Sequence, residues 1–378
     1  MKNLTIQSVL VIFCLFIFSS IDYSLAVDKE GSFNVQKGDL LDVKIEQGNI
    51  TVNTWDKSEV KISAKNIEDD ESGFFTMEQK SGKVEVRFKG DDSDEFFLEL
   101  TIPADILIDL KTGGGNVTIN NDLKDKVNIK TGGGNISAKG IGGNASITTG
   151  GGNIKLADIN GDARISTAGG DIQLGSINGK AEISTAGGNI KVGSVNSTAD
   201  ISTAGGNVNI GTVGGNLDVA TAGGNINVDV VSGTADISTA GGNINLAGAT
   251  GKVEANSGAG NIDLKNIDGS IEANTGAGNI TAGLNPDGKN ASEFNAGVGN
   301  ITIFIPESSK ATIVATASDF KWGESSKDSD SIKSDFETYN VSQIRKGNTF
   351  ESVYELNGGG SRIELNVGMG EINIKKLK

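Results

Sequence analysis

The chain of 378 residues contains no histidine, one cysteine, three prolines and only 5% aromatic residues. Without histidine it lacks the commonest general base and transition-metal ligand. Its net charge of −15 gives no basic surplus for a phosphate backbone, which argues against nucleic acid as a partner. The one cysteine, Cys14, lies in the apolar run Ser8 to Phe18, behind Lys2 and ahead of Ser24-Leu25-Ala26. A basic start, a short apolar core and small residues before Ala26 predict a signal peptide over residues 1–26. The run is too short for a membrane span, and no small residues precede Cys14 as a lipoprotein signal would require. The mature chain, from Val27, is then expected to be extracytoplasmic (secreted, periplasmic or at the cell surface), with no transmembrane span and no disulfide to hold it.

What the chain has in excess is glycine, 54 residues, and it recurs in order. Between Thr112 and Ile303 one motif returns with a period of 18, as in Asn189-Ile-Lys-Val, Asn207-Val-Asn-Ile and Asn225-Ile-Asn-Val, each following a Gly-Gly pair. A fixed short period with two-residue alternation is the signature of a solenoid. Apolar residues fall at positions 2, 4 and 7 and again at 11, 13 and 16 of each repeat, for example Ile190, Val192, Val195, then Ala199, Ile201, Ala204. This predicts two similar halves, each a short strand with alternate side chains inward and each ended by a small-residue bend. A hexapeptide helix would need apolar positions every six residues, which this spacing lacks. The fold class is therefore all-β: a single-stranded β-solenoid, β-helix or β-roll in type, with 18-residue coils and aromatic-rich irregular ends. One coil buries too little to offset the ordering of its own backbone, so stacking at about 4.8 Å must stabilise it.

The Asn at position 1 recurs as Asn116, Asn135, Asn153, Asn189, Asn207, Asn225, Asn243, Asn261, Asn279 and Asn300, with Asp171 the exception. Stacked amides donate and accept along the axis, so a structural Asn ladder is expected, weaker at Asp171.

Four segments follow. Residues 1–26 are the signal peptide and 27–110 an irregular N-terminal β region of wider coils. Residues 111–303 are the regular Gly-Gly-Asn repeats, and 304–378 an irregular C-terminal β region whose last strands close the rod. Aromatics gather in the two irregular regions, with none between Thr112 and Ser292, as expected if rings cover open solenoid ends. The polar stretch from Trp322 to Arg345 reads as a surface excursion or short helix. The acidic clusters Asp69-Asp70-Glu71 and Asp91-Asp92 with Asp94-Glu95 read as solvated loop tips.

The opening from Gly38 to Trp55, Ile102-Pro103-Ala104-Asp105 leading into Thr112-Gly-Gly-Gly-Asn-Val117, the Gly-Gly-Asn-Ile rungs and Gly358-Gly-Gly near the end together resemble the bacterial toast-rack family, DUF4097, provisionally labelled adhesin. The resemblance spans nearly all the mature chain. It implies an extracytoplasmic β-solenoid and supplies no catalytic residues.

One outward column stands out. Position 12 of successive repeats is Glu182, Asp200, Asp218, Asp236, Glu254 and Glu272, preceded by Arg164. Stacked in register, these carboxylates stand about 5 Å apart, where they should raise one another's pKa or recruit cations. The column is the candidate binding face, for Ca²⁺ or a basic partner surface; the plainer reading is a solvated face that keeps the rod soluble. Calcium β-rolls place an Asp in every bend, where Gly187-Gly-Asn-Ile-Lys-Val192 has none, so calcium-driven folding is not expected, and the sequence assigns no resident metal site and no cofactor. The function expected is non-enzymatic: an exported rod presenting a repetitive surface to an unidentified protein or glycan, in adhesion or envelope structure. The alternative is a β-helix enzyme acting on polysaccharide. Against it, a periodic ladder lacks the distinct environments that separate acid from base.

Overall fold

The computed structural model describes residues 26–90, 96–286, 288–318, 331–336, 342–346 and 349–377. The expected signal peptide up to residue 25, the acidic run 91–95 and most of the polar stretch 322–345 lie outside them. Among the described residues every element is a strand except one 3₁₀ turn, Asp69–Phe74, which carries the first acidic cluster.

Short strands alternate along the repeats, such as Ala199–Thr203 followed by Val208–Val213. Each stacks parallel and in register on its counterpart 18 residues later, Ile201 opposite Val219 and Val208 opposite Ile226. Two long sheets result, one of 17 strands. Their inward rows of Ile, Val, Leu and Ala make one continuous core. With each strand of the repeats bonded on both sides, backbone polarity is satisfied by the neighbouring coils.

The inward set differs from the expected one at a single position. Ala204 is exposed and Thr203 is buried in its place, because strand alternation carries through Thr203 and the chain turns only afterwards. The two halves of a repeat are thus not equivalent. Buried Thr recurs at Thr131, Thr149, Thr167, Thr185, Thr221 and Thr239. A buried hydroxyl needs partners, and each has two. Thr203 Oγ1 accepts the Gly206 N–H at 3.2 Å and donates to the Gly188 carbonyl of the preceding coil at 3.0 Å. The turns approach so closely here that a Cβ on Gly206 would stand 1.9 Å from Gly188 O, whereas on Gly205 the nearest atom is 3.4 Å away.

The ends are wound differently from the expectation of simple wider coils. The first coil of the chain is sandwiched: Leu40–Ile45 pairs with Lys83–Phe88 and with Leu107–Thr112, and Asn49–Trp55 with Phe97–Pro103 and Val117–Ile119. At the other end, Ser361–Met369 and Ile372–Lys376 lie between earlier strands, Ser292–Val298 and Ile301–Ile305 on one side, Ala311–Ser318 and Ile332–Ser334 on the other. The last strands therefore do not close the rod; they form an inner layer beneath Ala311–Ser318 and Ile332–Ser334. Antiparallel strands cover the outside, Ala26–Asn34 and Thr76–Lys80 at one end and Thr349–Leu356 at the other. Such covering hides parallel edges that would otherwise pair with another chain. The described parts of the C-terminal polar stretch, Ile332–Ser334 and Ser342–Lys346, are strands and not a helix. Phe75, Phe88 and Phe96 pack together beneath the N-terminal cover, with Phe88 and Phe96 stacked at 4.4 Å.

Two stability outcomes follow from the turn. Thr203→Val strips partners from the Gly206 N–H and the Gly188 carbonyl and should cost about 1–3 kcal/mol in chemical denaturation. Gly206→Ala should cost more than about 2 kcal/mol, whereas Gly205→Ala should leave the midpoint nearly unchanged. Equal effects of the two alanine substitutions would contradict the close approach.

Candidate binding surface

Residues at position 12 point out of the second sheet, between inward neighbours such as Ala199 and Ile201, so strand alternation alone fixes their direction. The register places Glu182, Asp200, Asp218, Asp236, Glu254 and Glu272 opposite one another in succession. The column runs on through two carboxylates that the period does not predict, Glu293 and Glu364. They were hidden because the offsets between coils change there. The shared pattern Glu-x-Asn, in Glu272-Ala-Asn274, Glu293-Phe-Asn295 and Glu364-Leu-Asn366, is the signal that links them. Beyond Arg164 the same column continues through Ser146 and Asn128 to Asp109, Asp42 and Glu85.

Charge compensation is uneven along this line. Asp42 is held by Lys83 at 2.6 Å and Arg87 at 3.0 Å; burial is the largest single influence and pushes upward, but these two cations hold its carboxyl below the usual range. Arg164 pairs with Glu182, Lys252 with Glu254 and Glu272, and Arg362 with Glu364. Asp200, Asp218 and Asp236, in the middle, have no ion pair among the described residues. Burial first, then the Asp218 and Glu182 charges, raises Asp200; burial first, then Glu254 and Asp218, raises Asp236. This central stretch forms one wall of an axial groove of about 1000 Å³. Lys180, Thr198, Asn216 and Thr234 also line it. The carboxylates lie in a line, and among the described residues no three converge as a metal site would require.

The position-1 side chains are brought together along one bend, and a backbone bond runs through the column in addition to the amide-to-amide bonds expected. From Asn116 onward each Oδ1 accepts the backbone N–H of the next coil's residue: Asn135 from Asn153, Asn189 from Asn207, Asn207 from Asn225, Asn225 from Asn243, Asn243 from Asn261, Asn261 from Asn279 and Asn279 from Asn300, at 2.8–2.9 Å. Asn153 serves Asp171 in the same way. Acceptance is the essential role, so Asp171 does not weaken its rung: it accepts the Asn189 N–H at 2.7 Å and the Asn189 Nδ2 at 3.1 Å. The expected amide-to-amide bonds are also present in the column, Asn207 donating to Asn189, Asn225 to Asn207 and Asn279 to Asn261 at 3.2–3.3 Å, and further side-chain amide ladders run on the sheet faces, along Asn209, Asn227 and Asn245, and along Asn256, Asn274, Asn295 and Asn366. At the N-terminal end Trp55 donates its indole N–H to the Glu59 carbonyl and carries Lys57 over its ring. Trp322 lies outside the described residues.

The raised carboxyls set a pH dependence. Asp200 and Asp236 hold their protons to higher pH in the folded state than the ordinary value near 3.9, so their contribution is most favourable below that value and is lost as pH rises through the raised one. A double Asp200→Asn, Asp236→Asn variant should therefore melt higher than the parent at pH 7, and the gap should vanish below about pH 4. Solvent screening keeps the gain under about 1 kcal/mol. Thermal melts across pH check it; a lower melting point for the variant at pH 7 would contradict the repulsion.

Among the described residues no helix is long and apolar enough to cross a membrane. No curated protein matches the chain. Among solved structures it is similar to a "putative adhesin" from Bacteroides fragilis NCTC 9343, 16% identical over 73% of this chain and 97% of that one, with a TM-score of 0.26. A "putative adhesin" from Parabacteroides distasonis ATCC 8503 is 17% identical over 71% of this chain and 97% of its own, with a TM-score of 0.29. A "putative lipid binding protein" from the same organism is 14% identical over 71% and 96%, with a TM-score of 0.23. Likenesses this distant carry no argument about function. The family model described as Toastrack DUF4097 matches residues 38–214 and 182–333, most of the sequence, and the chain belongs to that family.

Proposed function

We propose that the protein is an exported, non-enzymatic β-solenoid of adhesin or envelope-structural type, and that its acidic column is the face presented to a basic partner surface. The observation that carries this reading is the line of carboxylates at one-coil spacing, without an ion pair among the described residues at Asp200, Asp218 and Asp236 and bordering an open groove. Unpaired like charges cost stability, and a partner carrying Lys or Arg at matching intervals would relieve that cost while the fixed spacing selects register. The carboxylates share one repeated environment, which offers no pair with divergent proton affinities for acid and base roles. In this reading residues 27–110 and 304–378 act as end caps and 111–303 as the presenting rod, with cleavage near Ala26 delivering the chain outside the cytoplasm.

The test compares residues 27–378 with a variant in which Glu182, Asp200, Asp218, Asp236, Glu254 and Glu272 become Gln or Asn. Both are applied to arrays of glycans, matrix proteins and isolated cell envelopes. Saturable binding that disappears in the variant, and that weakens with salt as exposed charges are screened over about 8 Å, is the expected result. Binding that survives neutralisation removes the column from the account, and no binding by either protein favours a passive scaffold.

A further inference from the structure

The other sheet carries a notch that the regular repeat does not contain. In Ile262–Ile267 three steps separate the inward residues Leu264 and Ile267, but in the next coil, Ile280–Leu284, only two separate their partners Ala282 and Leu284. The surplus residue, Asn266, adopts φ +48° and is tied down by its Nδ2 to the Ala247 carbonyl at 3.0 Å. A one-residue change in coil size leaves a ledge, as bulges do beside many binding sites. Gly283 sits on the ledge facing outward, and a Cβ built there would meet only the Asn266 nitrogen at 3.8 Å. Packing therefore does not require glycine at 283, and the space above it is open. The following coil places the half-buried ring of Phe304 beside Gly283, and Pro306, Asn285 and Leu377 complete a cavity of about 480 Å³.

Asp263 also lines this cavity. Its Oδ2 is 3.1 Å from the Lys265 ammonium. Its Oδ1 is shielded from solvent and has no hydrogen-bond partner, the one such side-chain atom among the described residues. A buried acceptor without a donor is costly, and rotation about the broad carboxylate torsion exchanges the two oxygens. The cavity thus offers an aromatic face beside a carboxylate whose Oδ2, shared with Lys265, has a further lone pair with which to accept a hydrogen bond. Lys265 pairs with Asp263, Asp268 also lines the cavity, and Lys375 stands 6.0 Å above the Phe304 ring. A cation would have to displace Lys265, and an anion would meet the Asp263 carboxylate.

We propose that this notch binds one residue of a neutral glycan, its apolar ring face stacked on Phe304 and a hydroxyl donated to Asp263. The volume lies within the range of small-molecule sites, roughly 300–1,000 Å³, and a ring with C–H faces and O–H edges matches an aromatic wall next to an acceptor. The site is independent of the acidic column, which lies on the opposite sheet.

The test titrates residues 27–378 with neutral trisaccharides of glucose, mannose and galactose, followed by calorimetry and ligand-observed NMR. Variants are Gly283→Leu, which fills the notch, Asp263→Asn, and Phe304→Ala, with the six-site acidic variant as control. At least one saccharide should bind the parent and the acidic variant alike, and bind Gly283→Leu and Phe304→Ala at least about tenfold more weakly. The Gly283→Leu melting curve should match the parent's. If no saccharide binds at millimolar concentration, or if Gly283→Leu binds as well as the parent, the proposal is wrong. Loss of binding in the acidic variant alone would move the site to the column and overturn it equally.

Discussion

The parallel hydrogen bonding of one coil to the next, in register and at the same point of every turn, is what the remaining structure depends on. It satisfies the backbone of strands too short to be stable alone. It also brings turn backbones so close that only glycine fits at Gly188, Gly206 and Gly224. The buried threonines belong to the same device. Each hydroxyl ties a glycine N–H of its own turn to a glycine carbonyl of the preceding one, so the tightest part of the coil is also the most fully bonded.

Strict register has a consequence on the outside: like stacks on like. Where the repeated residue is asparagine the result is favourable, because an amide donates to one neighbour and accepts from the other, as along Asn256, Asn274, Asn295 and Asn366. Where it is a carboxylate the column can only repel, and the chain compensates with Arg164, Lys252 and Arg362. The centre of the column has no ion pair among the described residues, and it lines a groove of about 1000 Å³. The two sheets thus offer different surfaces, one charged and periodic, the other interrupted by a single aperiodic notch.

Much of this was legible in the residues. A constant 18-residue period, with alternation inside it, leads directly to parallel stacked strands, to the core rows and to the carboxylate column from Glu182 to Glu272. What escaped has identifiable physical causes. Thr203 is polar and Ala204 is not, so periodicity alone assigns the wrong one to the interior; only the hydroxyl's two bonds make the threonine acceptable there. The sandwiching of Leu40–Ile45 and Ser361–Met369 depends on which edges each strand meets in space, and local pattern carries no record of that. Glu293 and Glu364 join the column across offsets of 21 and 71 residues, and the notch at Gly283 arises from the loss of one residue in one coil. In each case the information resides in a departure from the period, where periodic reasoning is blind.

The most direct measurement deletes part of the rod. Removing residues 207–224 takes out one full period and joins Gly206 to Asn225, so every inward residue keeps its face. Removing residues 209–225 takes out one residue fewer and joins Val208 to Ile226, turning Ile226 and Val228 outward. The first protein should fold, with a β circular-dichroism spectrum and a long axis shorter by about 4.8 Å in small-angle scattering, while the second should lose cooperative unfolding. Equal tolerance of both deletions, or collapse of both, would contradict coil-to-coil register as the source of the fold.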